Sequence, residues 1–223
     1  MARLCFDYGH GGNDPGACYK GRKESDDVLS IGKVVAKEVR RHGVIVDETR
    51  KDDTTVSLKS RSDFEKKNQY DYFISFHRNA FKPEVGKGAE TYVYLKGGVK
   101  ANSLAKRIQM ALIDIGFANR GVKAANFHVL RETKAPAVLI EIGFIDNTND
   151  NILFDAKFDA IVKSLTKAIL EEMGINYTEP VASLNKQTLY RVMAGSYANR
   201  YNAIRQVEKL KKEGFDATIM IYK

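Results

Sequence analysis

The chain has 223 residues, 43% of them hydrophobic, so it can bury a sizeable core and does not belong to the disordered class. No stretch approaches the ~18 uninterrupted apolar residues of a membrane span, and Cys5 and Cys18 are too few for a disulfide framework, so both read as packing residues of a reduced cytosolic chain. The net charge of +8, from 36 Lys and Arg against 28 Asp and Glu, favours a polyanionic partner: a nucleic acid, an anionic lipid or a phosphate-bearing wall polymer.

In chain order, "LCF" at residues 4–6 reads as a short buried strand, after which Gly9, Gly11 and Gly12 permit a tight loop that carries His10. Met1 leads directly into that strand, which leaves no room for a basic and apolar leader, so synthesis in the cytoplasm without a signal peptide is expected. Glu24 then opens a helix with Val28, Ile31, Val35 and Val39 at three- and four-residue spacing, stopped by Gly43. "VIVDETR" is a strand, "SLKSRSDFEKKN" a helix, and "DYFISFH" a buried strand whose last member is His77.

Next come a strand "AETYVYL", a long amphipathic helix ending at Gly116, a buried strand "APAVLIEIGF" that carries Glu141, and closing helices up to Gly174. Strands alternating with helices predict a doubly wound α/β fold: a twisted, mostly parallel sheet with helices on both faces. Residues 175–187 are polar and read as a linker. Residues 188–223 read as a small βαβ unit, in which strand-like "LYRVMAGSY" and "DATIMIY" flank a helix with Ala203, Ile204, Val207 and Leu210 on one face. That unit carries seven Lys and Arg against three Asp and Glu.

Ligands of open α/β sheets sit beyond the carboxyl ends of the strands, and His10, His77 and Glu141 all fall at or near such ends. Glu24, at a helix start, projects toward the same region, although taken alone it reads as a charge favoured by the helix dipole. Two histidines and a carboxylate suit a zinc ion with one position left open, the arrangement of catalytic sites. Glu141, between "AVLI" and "IGF", is costly to bury as an ion unless it has partners or faces a cleft, and is the candidate acid and base. No zinc-finger spacing, RRM box or Walker loop supports nucleic-acid binding.

"FDYGHGGNDPGA", Glu24 in "GRKES", "SRSDF", "SFHRNA", "AETYVY" and "RGVKAANFHVLRETKAPAVLIEIGFIDN", in this order, resemble the zinc-dependent N-acetylmuramoyl-L-alanine amidases of the amidase 3 family over residues 2–174. The resemblance implies zinc held by His10, Glu24 and His77, with Glu141 as the catalytic carboxylate. It implies hydrolysis of the amide joining N-acetylmuramic acid to L-alanine, with peptidoglycan as substrate and wall lysis as the result. A phage endolysin is the expected setting, a leaderless host or mother-cell autolysin the rival, and a non-catalytic wall-binding protein the competing class. Tyr8 and Arg78 depart from the family pattern and are expected beside the metal, whereas Asn79 and Arg61 read as loop-fixing and structural, and His42 and His128 are left out of the site, with His128 able to lie near the cleft.

The tail resembles the first half of a SPOR-type peptidoglycan-binding repeat, which implies that two chains each donate a half to a homodimer. About 36 residues is too few for a stable unit alone, and a degenerate tail is the rival reading. The expected organisation is a zinc amidase domain at 1–174, a linker at 175–187 and a half SPOR-like unit at 188–223, with neither nucleic-acid binding nor membrane insertion.

Overall fold

Leu4 to Tyr8 are buried without interruption, the pattern of a strand covered on both faces. The computed structural model describes residues 1–180 and 193–219. In chain order its elements are β1 (Arg3–Tyr8), β2 (Cys18–Tyr19), β3 (Arg22–Lys23), α1 (Glu24–Arg41), β4 (Ile45–Glu48), α2 (Leu58–Glu65), β5 (Tyr72–Asn79), β6 (Ala89–Tyr94), α3 (Val99–Ile115), β7 (Asn119–Ala125), α4 (His128–Arg131), β8 (Ala137–Phe144), α5 (Thr148–Ala156), α6 (Phe158–Glu172) and α7 (Arg200–Lys212).

Six strands form one sheet in the order β4-β1-β5-β8-β6-β7, and every neighbouring pair is parallel except β6 with β8. The reversal of β6 has a consequence for the cleft. It brings the start of β6 beside the carboxyl end of β8, so that Glu90 stands opposite Glu141.

The two faces of the sheet are covered unequally. On one, Val28, Ile31, Val35 and Val39 of α1, Leu104 and Ile108 of α3, and Leu165 and Ile169 of α6 pack on Phe6, Ile74, Phe76, Val138 and Ile140. Helical spacing put those side chains on single faces, and burying a Val or Leu contributes about 1.5–3 kcal/mol each, so this face dominates the core. The other face holds a smaller cluster of Cys5, Phe73, Leu139, Val129 and Leu130 beneath α2 and α4, which have only eight and four residues. Short covers leave the carboxyl end of this face open.

The mostly parallel α/β architecture expected from the alternating pattern is present. Three elements differ from the sequence reading: the β2–β3 hairpin, β7 and α4. β7 is an edge strand with no buried residue, so its apolar pattern is weak. Cys18 is exposed rather than packed, because it stands on that outer hairpin, whereas Cys5 is buried as expected.

The chain divides into two compact units, Met1–Thr178 and Glu179–Lys223. Ile175 and Tyr177, which the polar composition placed in a linker, pack on the core of the first unit. His42 secures that end: its ring stacks on Tyr177 at 5.0 Å and its Nε2 accepts a hydrogen bond from the Thr178 amide at 3.0 Å. In the second unit α7 begins at Asn199, whose side chain accepts from the Tyr201 amide, and stops at Gly214 (φ 87). Ala203, Val207 and Leu210 are half-buried there. Residues 193–197 and 215–219 form no strand, and the remainder of the two strand-like segments, 189–192 and 220–222, lies outside the described residues. Among the described residues, no helix is long and apolar enough to cross a membrane.

The contact of α1 with β1 gives a test. A Cβ at Gly32 would lie 2.2 Å from Tyr8 Cε1, and the Tyr8 ring cannot retreat because it is fully buried and its hydroxyl donates to Glu48 Oε1 at 2.9 Å. Gly32→Ala is expected to cost about 1–3 kcal/mol despite the better helix propensity of alanine. The urea midpoint measures it, and an unchanged midpoint would mean that the ring gives way.

Candidate active site

β1 ends at Tyr8, and the next residues turn back sharply, with His10 at φ 59, Gly11 at φ 123 and Gly12 at φ 60. A non-glycine residue in the left-handed region is unfavourable and must be held by its surroundings. Two arginines from elsewhere in the chain hold it. Arg61 of α2 donates to the carbonyls of Tyr8 at 2.6 Å and His10 at 2.7 Å, and Arg50 donates to those of Tyr8 and Gly9, both at 2.9 Å. Arg61 also donates to Asp7 Oδ1 at 2.7 Å, while Thr49 and Ser75 donate to the same carboxylate. Burial opposes ionisation of Asp7, but the Arg61 charge and these bonds together hold its carboxyl below the usual range.

The loop and the start of α1 meet at Glu24. Its Oε1 lies 2.8 Å from His77 Nδ1 and accepts the Arg78 amide at 3.1 Å. Its Oε2 lies 3.2 Å from His10 Nε2 and accepts the Ala17 amide at 3.0 Å. One ligand atom from each of His10, Glu24 and His77 falls within 4.8 Å of the others, a group that can hold a metal ion. Burial resists the Glu24 charge, yet hydrogen bonds from His10 and His77 drive its carboxyl well below the usual range. For His10, burial acts downward and the bonds to Glu24 and Asp14 outweigh it, so its ring is more basic than usual.

The donor set fits zinc: two imidazoles and a carboxylate, with Asp14 Oδ2 2.8 Å from His10 Nδ1 so that Nε2 is the nitrogen turned to Glu24. The backbone around it is a cradle that no side chain could share. A Cβ on Gly9 would lie 2.2 Å from the His77 ring, and one on Gly16 would lie 2.7 Å from both Glu24 Oε2 and His10 Cδ2.

Glu141 on β8 is the register partner of His77 on β5. Both line a cavity of about 510 Å³, together with His10, Asp14, Arg61, Leu58, Phe127 and His128. Glu141 Oε2 is wholly buried and has no hydrogen-bond partner among the described residues. Burial first, then the carboxylates of Glu24 and Glu90, push the Glu141 carboxyl well above its ordinary value, against the pull of Arg78.

The four residues singled out by the sequence thus share one site, whereas its two departures from the family pattern do not line the cavity. Tyr8 turns to the opposite face, against Phe76 and Gly32. Alternation along β1 dictates this, since Asp7 faces the cleft side. Arg78 alternates away from His77 in the same manner: it is fully buried, donates to Asp27 at 2.5 Å and Asn151 at 2.7 Å, and sits over the Phe154 ring. Arg61 is structural, as expected. Asn79 bonds Glu90 where the β5–β8 register shifts. His128 lines the cavity with its Nε2 3.2 Å from Ser62 Oγ. Sequence reading missed Asp14 and Arg50; only Asp14, four residues after His10, left a local signal.

Residues 4–171 match the family described as N-acetylmuramoyl-L-alanine amidase, and residues 164–221 match the SPOR domain, whose match begins within α6. A sporulation-specific N-acetylmuramoyl-L-alanine amidase of Bacillus subtilis (strain 168) is 32% identical across 99% of this chain and 85% of its own length. An endolysin of Bacillus phage SPP1 is 36% identical across 78% of this chain and 68% of its own. Among solved structures, an N-acetylmuramoyl-L-alanine amidase from Clostridium difficile 630 is similar with a TM-score of 0.74 and 31% identity, covering 78% of this chain and 97% of that one.

The raised Glu141 carboxyl makes a stability prediction with a definite sign. Its folded pKa lies above the unfolded value, so the folded state alone keeps the proton as pH rises past about 4.3, and the cost of ionising it grows until pH exceeds the folded value. In chelator-treated protein, Glu141→Gln is therefore expected to raise the thermal midpoint at pH 8, with the gain shrinking as pH falls toward 4. Equal midpoints at pH 8 would contradict it.

Proposed function

As a member of the N-acetylmuramoyl-L-alanine amidase family this chain is a peptidoglycan amidase, and we propose that it cleaves the amide between N-acetylmuramic acid and the L-alanine of the stem peptide with zinc as cofactor. The observation that supports this best is the convergence of His10, Glu24 and His77 beside a buried Glu141 oxygen that meets no hydrogen-bond partner among the described residues. His10, Glu24 and His77 would hold the metal, which supplies a Lewis acid for the scissile carbonyl and lowers the pKa of water.

The remaining chemistry belongs to side chains of the chain itself. Glu141, once ionised, takes a proton from the attacking water and then gives it to the departing alanine nitrogen as the C–N bond breaks, so one carboxyl serves as base and as acid. Its raised affinity for protons suits the second role. Asp14 orients the His10 ring, and Arg61 and Arg50 keep the loop in the conformation that aims His10 at Glu24.

We read residues 1–174 as the catalytic domain and 188–223 as a half SPOR-like unit that binds wall glycan, joined by 175–187. The excess of Lys and Arg in the tail suits anionic wall polymers. A second copy of the chain would supply the other half of the unit, giving a homodimer. Wall lysis is the proposed outcome. Similarity across the whole chain, tail included, to a sporulation-specific bacterial amidase favours a host or mother-cell autolysin over the phage endolysin, whose similarity covers 78% of the chain.

Purified peptidoglycan is expected to release N-terminal L-alanine without new reducing sugars, to stop doing so with chelator and to resume on adding zinc. Glu141→Gln should keep zinc and lose about 10²- to 10⁴-fold in turnover, whereas His10→Ala and His77→Ala should lose the metal as well. Full activity in Glu141→Gln with unchanged zinc content would sink the assignment. The tail reading predicts a sedimenting species of twice the 25.0 kDa chain mass, and a strict monomer at tens of micromolar would refute it.

A further inference from the structure

The polar groups on the cleft face of the sheet form a row that continues past the catalytic carboxylate. His77 on β5, Glu141 on β8 and Glu90 on β6 are successive register partners across three adjacent strands. Beyond them β7 contributes two cations to Glu90: Arg120 Nε donates to its Oε2 at 2.8 Å, and Lys123 Nζ pairs with the same oxygen. Glu90 is 3% exposed and its other oxygen accepts from Tyr92 Oη at 2.8 Å and from Asn79, so it is a fixed, buried anchor.

Two positive charges on one carboxylate leave one in excess. The Arg120 and Lys123 side chains are 37% and 39% exposed, and although the Arg120 guanidinium lies over the Phe144 ring at 4.8 Å, its two terminal nitrogens have no hydrogen-bond partner among the described residues. The pair also adjoins the cleft. Lys123 Nζ lies 6.0 Å from the centre of the Tyr92 ring, and Tyr92 meets Phe127, a lining residue of the cavity, edge to face at 5.1 Å.

The proposed amidase reaction, on which this inference rests, fixes which end of the substrate lies here. The departing nitrogen must be within reach of Glu141, and the acyl side must lie toward His10, Glu24 and His77. The peptide therefore runs from Glu141 across β6 toward β7. Those two strand spacings measure about 10 Å, and two residues of extended peptide span about 7 Å, a difference that long Arg and Lys side chains bridge.

We propose that Arg120 and Lys123, seated on Glu90, form a subsite for a carboxylate on the peptide side of the scissile amide, and so select stem peptides whose residue after L-alanine carries a free carboxylate over those in which it is a carboxamide. The planar guanidinium offers two parallel donors to such a group, and the ammonium adds a point charge. Charges on an edge strand also discourage strand addition by other chains, but that role is indifferent to the charge of a substrate.

The test uses two synthetic muramoyl peptides that differ only in that carboxylate or carboxamide, with kcat and KM measured for the zinc-loaded full chain and for Arg120→Gln, Lys123→Gln and the double variant. The native chain is expected to favour the carboxylate peptide by about 10- to 100-fold in kcat/KM, mainly through KM, and the double variant to bring the ratio near one. The ratio is read within each variant, so a general loss of folded protein does not move it. No preference in the native chain, or the same preference in the double variant, overturns the subsite. Cleavage of neither peptide by the native chain overturns the bond assignment itself, and the subsite with it, which separates the two failures.

Discussion

The ion pair between Arg61 and Asp7 is the interaction on which the site depends. Both groups are buried, and an isolated charge in either place would be costly. Together with Thr49 and Ser75 they close a network whose spare donors reach the carbonyls of Tyr8 and His10. A strained loop requires surroundings that over-determine it, and this network is that surrounding. Breaking such a pair leaves an uncompensated buried charge, typically about 3–5 kcal/mol, so the loop that presents His10 is tied to the stability of the sheet itself.

Electrostatics across the sheet follow from the same packing. Glu24 is ionised and rich in donors, Glu141 is short of them, and Glu90 is neutralised by cations from the edge strand. Three carboxylates around the cleft thereby meet three different surroundings: one held by histidines and backbone amides, one short of donors, and one anchored by cations. What separates them is the number of donors each one meets, which strand register sets for Glu141 and Glu90 and the start of α1 sets for Glu24.

The cleft exists because the sheet is covered unequally. α1, α3 and α6 seal one face with long apolar surfaces, while α2 and α4 give the other face a short cover. An extended polymer substrate needs such an open face, and the row from His77 to Lys123 lies along it.

The order of strands and helices was legible in the sequence because apolar spacing at two or at three and four residues follows directly from strand and helix geometry. His10, His77 and Glu141 stood out locally as polar groups at or near strand ends, whereas Glu24 taken alone read as a helix-start charge and joined them through the family resemblance. Tyr8 and Arg78 show where local reading ends: each neighbours a site residue in sequence, but strand alternation turns it to the other face, which only the pairing of the sheet decides. Arg50 left no local sign, and Glu90, although it lies in the quoted motif "AETYVY", gave no sign of what it pairs with. Their partners lie up to 42 residues away or on reversed and edge strands, so tertiary structure alone gives them roles. The sequence determined which chemistry is carried, and long-range packing decided which charges meet, because charge–charge contacts depend on distance in space and not along the chain.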